Sequence, residues 1–359
     1  MELALYCPVY GYYERERDTS GKCGDFYTSV SVGSLFGELL AFQFAEWLSE
    51  CEKPNAERGA LAEAGAELQL VEAGAHDGRL AADILGWLRK HRPELFQRLE
   101  YWLVEPSQRR QEWQKETLAE FGNKVRWLPS LLAGESGRVR GVIFSNELLD
   151  ALPVHRFGWD ANQRAWFEWG VTMQDGLLAW ARLKPEADSP MPQVQTSILP
   201  WQVPHELLEL LPDGFTMEVC PAAESWWREA ANALECGRLL TIDYGLAAEE
   251  FLAPERKEGT LRAYSQHRPV SEVLSRPGEQ DITAHVNFTG IRAAGESAGL
   301  KTEDFVTQEQ FLTRIAARVW KEKDASAELI GARAREFQTL THPEHLGRPF
   351  RVLVQSRGL

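Results

Sequence analysis

Three apolar runs recur along the first half of the chain, and each closes on acidic or amide residues. They are Leu68-Gln69-Leu70-Val71-Glu72-Ala73-Gly74-Ala75-His76-Asp77-Gly78, Tyr101-Trp102-Leu103-Val104-Glu105, and Val142-Ile143-Phe144-Ser145-Asn146-Glu147-Leu148-Leu149-Asp150. Runs of this kind read as buried parallel strands, which in open α/β sheets carry the ligand at their carboxyl ends. The text between them has helical spacing, near 78–91 and 107–121, with a short strand near 124–127 and a strand at 141–145. Strand and helix in alternation imply parallel pairing through right-handed crossovers. Upstream, residues 1–30 read as an irregular arm, and Leu35, Phe36, Leu39, Leu40, Phe42, Phe44, Trp47 and Leu48 mark a buried helix over 34–51.

The pattern changes at Pro153. Alternating Trp166, Phe167, Trp169 and Val171, an Asp175-Gly176 turn, and Leu177, Leu178 and Trp180 predict an inserted antiparallel hairpin. Helical text returns at 205–211. A strand at 215–220, a helix at 221–235 and a strand at 238–243 are expected to resume the sheet. Residues 244–287 read as mostly irregular, followed by helices near 288–298 and 307–320 and a last strand at 350–354. The expected organisation is a cap at 1–66, the first part of an α/β core at 67–153, an antiparallel substrate-side insertion at 154–212, and the rest of the core at 213–359.

Composition narrows the choice of partner. With 359 residues, 44% apolar and 26% charged, the chain has the make-up of an ordinary soluble protein large enough for one sizeable core and an insertion. The net charge of −14 argues against a phosphate-backbone partner, because nucleic-acid affinity rests on Lys and Arg. No apolar run reaches membrane-spanning length, and the start lacks the basic and apolar regions of a signal peptide. The cysteines Cys7, Cys23, Cys51, Cys220 and Cys236 form no C-x-x-C pair, so neither a zinc site nor a disulfide framework is indicated, and a reducing cytoplasm is the expected home.

The strand ends carry the chemistry. Gly74 and Gly78 bracket a tight turn where backbone can approach a ligand, and the helix after Gly78 offers free N–H groups to an anion. This is not the G-x-G-x-x-G dinucleotide fingerprint, because position 76 is His. The acid-x-Gly-x-x-x-Gly spacing instead looks like the S-adenosylmethionine loop, with Glu72 facing the ammonium group. His76 is tolerable there if left-handed, a conformation in which His is enriched among non-glycine residues. Glu105 can accept both hydroxyls of a ribose, or can stand as a solvated strand end. Asn146, Glu147 and Asp150 place an amide and two carboxylates where a transferable methyl would sit. Carboxylates there would orient a planar guanidinium and accept its proton, or would serve as a dipole-stabilised helix start.

With these residues in place, the chain resembles the MidA-like methyltransferases, the family that includes the mitochondrial complex I assembly factor that methylates a protein arginine. The resemblance runs through Ala4-Leu5-Tyr6 with Gly11-Tyr12-Tyr13, Gly24-Asp25-Phe26-Tyr27-Thr28-Ser29 with Phe36-Gly37, and Asp83-Ile84-Leu85. It continues through Val104-Glu105-Pro106-Ser107, Asn146 to Val154, Asp243-Tyr244-Gly245, Gly259 to Tyr264, and Asp281 to Phe288. It implies a class I methyltransferase (Rossmann-like) α/β fold, a mostly parallel sheet with helices on both faces, using S-adenosyl-L-methionine. On that footing Glu72, Gly74, His76, Gly78 and Glu105 hold the cofactor, Asp25, Phe26 and Thr28 cover it, and no metal is needed. Asn146, Glu147 and Asp150 face the acceptor, with Asp243, Asp281 and His285 nearby. Two positions depart from the family: His76 stands in place of the usual glycine and Asn287 in place of an aspartate. A further helix often precedes Ala4-Leu5-Tyr6 in the family, so either a shorter arm or a start upstream of Met1 is expected.

The resemblance implies a protein acceptor, an arginine side chain on a respiratory-complex subunit or another client. A small-molecule or RNA methyltransferase and an assembly chaperone without turnover stay open as alternatives, as does the oligomeric state. His342-Pro343-Glu344-His345 reads as a polar turn rather than a metal pair. Trp47, Trp87 and Trp102 fall in core patterns, whereas Trp159, Trp166, Trp169 and Trp180 fit either packing or a docking surface.

Overall fold

The computed structural model describes residues 1–14, 28–52, 68–131, 138–183, 205–265, 268–322 and 332–359. The apolar runs become β1 (Leu68–Ala73), β2 (Leu99–Val104) and, after β3 (Val125–Leu128), β4 (Val139–Asn146). The insertion supplies β5 (His155–Asp160), β6 (Ala165–Gln174) and β7 (Leu177–Arg182). Then follow β8 (Thr216–Val219), the long β9 (Leu234–Leu246), β10 (Arg262–Ser265), β11 (Arg268–Val270), β12 (Asp281–Thr283) and β13 (Val286–Asn287). The chain closes with β14 (Lys301–Thr307) and β15 (Phe350–Arg357).

The central sheet runs β14-β15-β9-β4-β1-β2-β3, with β13 added on β9. From β3 to β9 every pairing is parallel, and β15 lies antiparallel to both β9 and β14. Every residue of β1 is buried, as expected of a central strand covered on both faces. One cover is the helix Leu35–Cys51, whose buried Phe44 meets Phe144 of β4 with ring centroids 4.9 Å apart. The opposite cover includes the helices Pro221–Ala233 and Phe288–Ser297, which pack in a second cluster around Trp227, Leu239 and Ile291. After β3 the chain crosses back to lay β4 on the other side of β1. That reversal opens a crevice beyond the carboxyl ends of β1 and β4, the usual ligand position in such sheets.

Three sequence expectations need correction. Residues 215–220 do not resume the central sheet: β8 pairs antiparallel with β5, in the order β7-β6-β5-β8. Met217 and Val219 there complete a small core with Phe157, Phe251 and Leu246 at the end of β9. Residues 244–287 are not irregular throughout, because β11-β10-β12 form a three-stranded sheet. The arm is not irregular throughout either. The helix Glu2–Tyr6 and Tyr12 bury Leu5 and Tyr12 against Leu261, Ala263 and Ile282. Trp47, Trp87, Trp102 and Trp159 are buried, and Trp180 is half-buried beneath the Arg156 guanidinium, 4.6 Å from its ring.

One close approach holds the sheet centre. Gly141 of β4 and Gly237 of β9 are register partners, with φ of 146° and 132°. A Cβ on Gly237 would collide with the Gly141 carbonyl oxygen, so the two strands would have to part. Gly237→Ala should therefore lower stability by about 2–4 kcal/mol, from overpacking plus left-handed strain. Urea denaturation checks this; an unchanged midpoint would show that the strands yield freely.

Candidate active site

The crevice holds about 860 Å³ of empty space, part of it open to solvent, and the β1 loop forms its floor. Glu72, Gly74, Ala75, His76, Asp77, Arg79 and Leu80 line it from that side. Gly74 has φ +75°, and a Cβ there would sit 2.9 Å from Leu148 Cδ1. Gly78, at φ +85°, caps the helix Arg79–His91 and donates its N–H to Ala75 O at 2.8 Å. His76 is left-handed at φ 48°, the conformation its position demands, and its ring lies 6.3 Å from that of Trp113. Glu72 is buried and accepts from the Tyr101 hydroxyl at 2.6 Å; burial lifts its carboxyl to about 7, above the usual range. Glu105 ends β2 beside this floor. Its Oε1 accepts from Ser107 N at 3.0 Å and its Oε2 from Gln114 Nε2 at 3.1 Å, and burial raises its pKa.

The rest of the lining is largely acidic. Asn146, Glu147, Asp150 and Asp281 line the same crevice, with Tyr13, Thr28, Ser31 and Thr283. Glu147, left-handed at φ 53°, has Oε1 held by Asn146 Nδ2 at 3.0 Å and Ser29 N at 3.2 Å. Burial, then the charges of Asp243 and Asp281, raise it to about 7. Asp150 is pushed well above the carboxylate range by burial and by its neighbours Asp243, Asp281 and Glu147. Asp281 accepts from the Tyr13 hydroxyl at 2.8 Å. Thr28 is the N-cap of the short helix Ser29–Val32, exchanging hydrogen bonds with Ser31. Buried carboxyls crowded in this way favour their neutral forms until a cation enters.

Four of the expected residues are not part of this lining: Gly78 and Glu105, placed beside the floor above, and Asp243 and His285. Asp243 lies fully buried beneath it, where Oδ2 accepts from Leu148 N at 3.1 Å and Leu149 N at 2.8 Å. Its Oδ1 accepts from Tyr244 N at 2.8 Å, so this side chain shapes the 146–150 loop from the sheet. His285 lines a separate small pocket with Glu218, Cys220 and Asn287. Its ring is edge-on to Tyr244 at 4.4 Å, and burial drops its pKa to about 3. Asp25 and Phe26 lie outside the described residues. Sequence reasoning gave no role to Tyr13, Tyr101, Gln114 or Leu148. All but Gln114 sit inside motifs quoted above, but their side-chain partners are up to 268 residues away. Among the described residues no cluster of His, Cys, Asp and Glu is arranged for a metal ion, and no helix is long and apolar enough to cross a membrane.

Comparison with known proteins agrees with this geometry. Residues 39–306 match a family model described as "Putative S-adenosyl-L-methionine-dependent methyltransferase". The chain is 28% identical to mouse "Protein arginine methyltransferase NDUFAF7, mitochondrial", over 98% of this chain and 78% of that protein. It is 27% identical to the Drosophila melanogaster homologue, over 100% of this chain and 80% of that one. A crystal structure from Burkholderia thailandensis bound to S-adenosyl-homocysteine superposes with a TM-score of 0.80 at 30% identity, covering 99% of this chain and 86% of the other. These names overturn the cytoplasmic expectation, since the curated relatives are called mitochondrial. Sparse cysteine without a C-x-x-C pair carries no compartment address. By family model, full-length relatives and fold, the chain belongs to the MidA-like S-adenosyl-L-methionine-dependent methyltransferases.

Proposed function

We propose that this methyltransferase acts on the side chain of a protein arginine. The observation that carries the reading is the convergence of Glu147, Asp150 and Asp281 on the crevice that the Gly74 loop also lines. The names of the relatives point the same way. S-adenosyl-L-methionine, when bound, supplies the electrophilic methyl group of its sulfonium. The residues present fit it: Gly74 lines the crevice with bare backbone, and Glu72 is a buried acid at the loop's edge. In this assignment Glu72 faces the ammonium, the 74–78 loop the carboxylate, and Glu105 the ribose hydroxyls. Thr28 covers the site, with Asp25 and Phe26 assigned to the same cover.

The acceptor-side residues then have distinct tasks. With Glu147 Oε1 held by two donors, Oε2 is left for an acceptor nitrogen. Asp150 and Asp281 grip the rest of the planar cation, for which bidentate carboxylates are well shaped. At an effective dielectric of about 20, each close charge pair gains on the order of 4 kcal/mol. Orientation can contribute roughly 7–11 kcal/mol to the barrier, more than the roughly 3–5 kcal/mol of proton transfer, so the acidic wall works chiefly by holding the nitrogen in line. Glu147 takes the proton that transfer releases. Asn146 fixes its carboxyl, Asp243 holds the loop, and we leave His285 outside the transfer step. The segments 1–66, 67–153, 154–212 and 213–359 remain our division of the chain, with the insertion on the substrate side and β8 of the last segment joined to the insertion's sheet.

Incubation with isotope-labelled cofactor and cell extract tests the reading: label should appear in protein and leave acid hydrolysis as methylarginine. Label confined to RNA or small molecules would reject it.

A pH effect follows from Glu147. Its folded pKa of about 7 exceeds its ordinary 4.5, so its stabilising contribution is complete below pH 4.5 and is lost as pH rises through 7. The melting temperature of the wild type, measured relative to Glu147→Gln, should fall between pH 5 and pH 8 (roughly the titration window). A constant difference would mean that Glu147 ionises like an exposed carboxylate.

A further inference from the structure

Gln114 is wholly buried on the helix Gln108–Thr117, between the loop that follows β1 and the acid that ends β2. Its Nε2 donates to the backbone carbonyl of His76 at 3.0 Å and to Glu105 Oε2 at 3.1 Å. Its Oε1 accepts from Trp127 Nε1 at 3.0 Å. An indole N–H can only donate. The amide oxygen therefore has to face Trp127, and both amide protons are committed to the two acceptors on the other side. Neither Leu nor Met would supply such donors, and Glu would set a second carboxylate against Glu105.

The consequence for Glu105 is geometric. Ser107 N holds Oε1 and Gln114 holds Oε2, so each oxygen has one lone pair engaged by the protein and one left over. The carboxylate plane is thereby fixed without being used up. At the same time Gln114 restrains His76, a left-handed non-glycine residue of the kind that persists only where its surroundings hold it.

We propose that Gln114 is a positioning residue for cofactor recognition, aligning Glu105 with the vicinal hydroxyls of the ribose while pinning the His76 turn of the adjoining loop. This rests on the cofactor placement given above. Gln114 touches no reacting atom; it acts through Glu105 and the His76 carbonyl.

Calorimetric titration with S-adenosyl-homocysteine and with its 2′-deoxyribose analogue tests it. The wild type should favour the ribose form by about tenfold or more, the usual worth of a hydrogen bond to a charged group. Glu105→Gln should erase that preference. Gln114→Met, close in volume but without donors, should reduce the preference to near unity, an effect that a merely structural residue would not confine to the ribose. Trp127→Phe frees the amide to turn over at a half-buried position that tolerates change, and should reduce the preference in part. A wild-type preference retained in a folded Gln114→Met, or in Trp127→Phe should Gln114→Met not fold, overturns the proposal. A wild type that shows no preference, or a Glu105→Gln that keeps it, removes the cofactor placement itself and the proposal with it.

Discussion

Replacing Glu147 by glutamine should slow methyl transfer by about 10²–10⁴-fold, the range that a positioned proton acceptor contributes. The shape of the side chain is kept, and both Oε1 partners, Asn146 Nδ2 and Ser29 N, can still donate to the amide oxygen. What is lost is the negative charge and the capacity to take a proton. Cofactor affinity should stay close to that of the wild type, because Glu147 is assigned to the acceptor and not to the cofactor. Steady-state rates with an unmethylated protein acceptor, paired with calorimetry on S-adenosyl-homocysteine, measure the two effects separately. If both fall together, Glu147 belongs to cofactor binding.

The second large effect is expected at Gly74. Gly74→Val should abolish binding of S-adenosyl-homocysteine in a protein that still folds. At φ +75° a β-branched residue is strained, and its Cβ would already stand 2.9 Å from Leu148 Cδ1. Relieving that contact and the backbone strain shifts the turn, and with it the backbone that lines the crevice. Circular dichroism establishes folding and calorimetry the loss; full binding by a folded Gly74→Val would reject this loop as the cofactor site.

Much of the core was legible because its signals are local. Glu72, Glu105 and Asn146 fall at strand ends that an apolar run and a following turn announce within a dozen residues. At His76 left-handedness was legible only as a condition, which the structure meets at φ 48°. The rest depends on distant partners. Nothing near Thr216 says that it will pair with Gly158 rather than return to the central sheet. Tyr264 and Asp281 meet across β10 and β12, 17 positions apart, in text whose polarity reads as loop. The site divides in the same way. Glu147 and Asp150 share one motif, whereas Tyr13 reaches Asp281 only after the whole fold has assembled. Gln114 carried no signal at all, since a lone Gln in a polar helix is indistinguishable from surface until Trp127 and Glu105 surround it. His285 misled for the opposite reason: it neighbours Asp281 in sequence but turns into a different pocket.

The anchoring of the acidic loop by Asp243 has a consequence for how such enzymes diverge. Two of its backbone amides, those of Leu148 and Leu149, bolt that loop to the long central strand, so it cannot drift without disturbing the core. The rim is assembled from separate pieces, Tyr13 from the arm and Asp281 and Thr283 from the small three-stranded sheet. New clients are thus acquired by rebuilding the rim, while the machinery underneath is inherited whole.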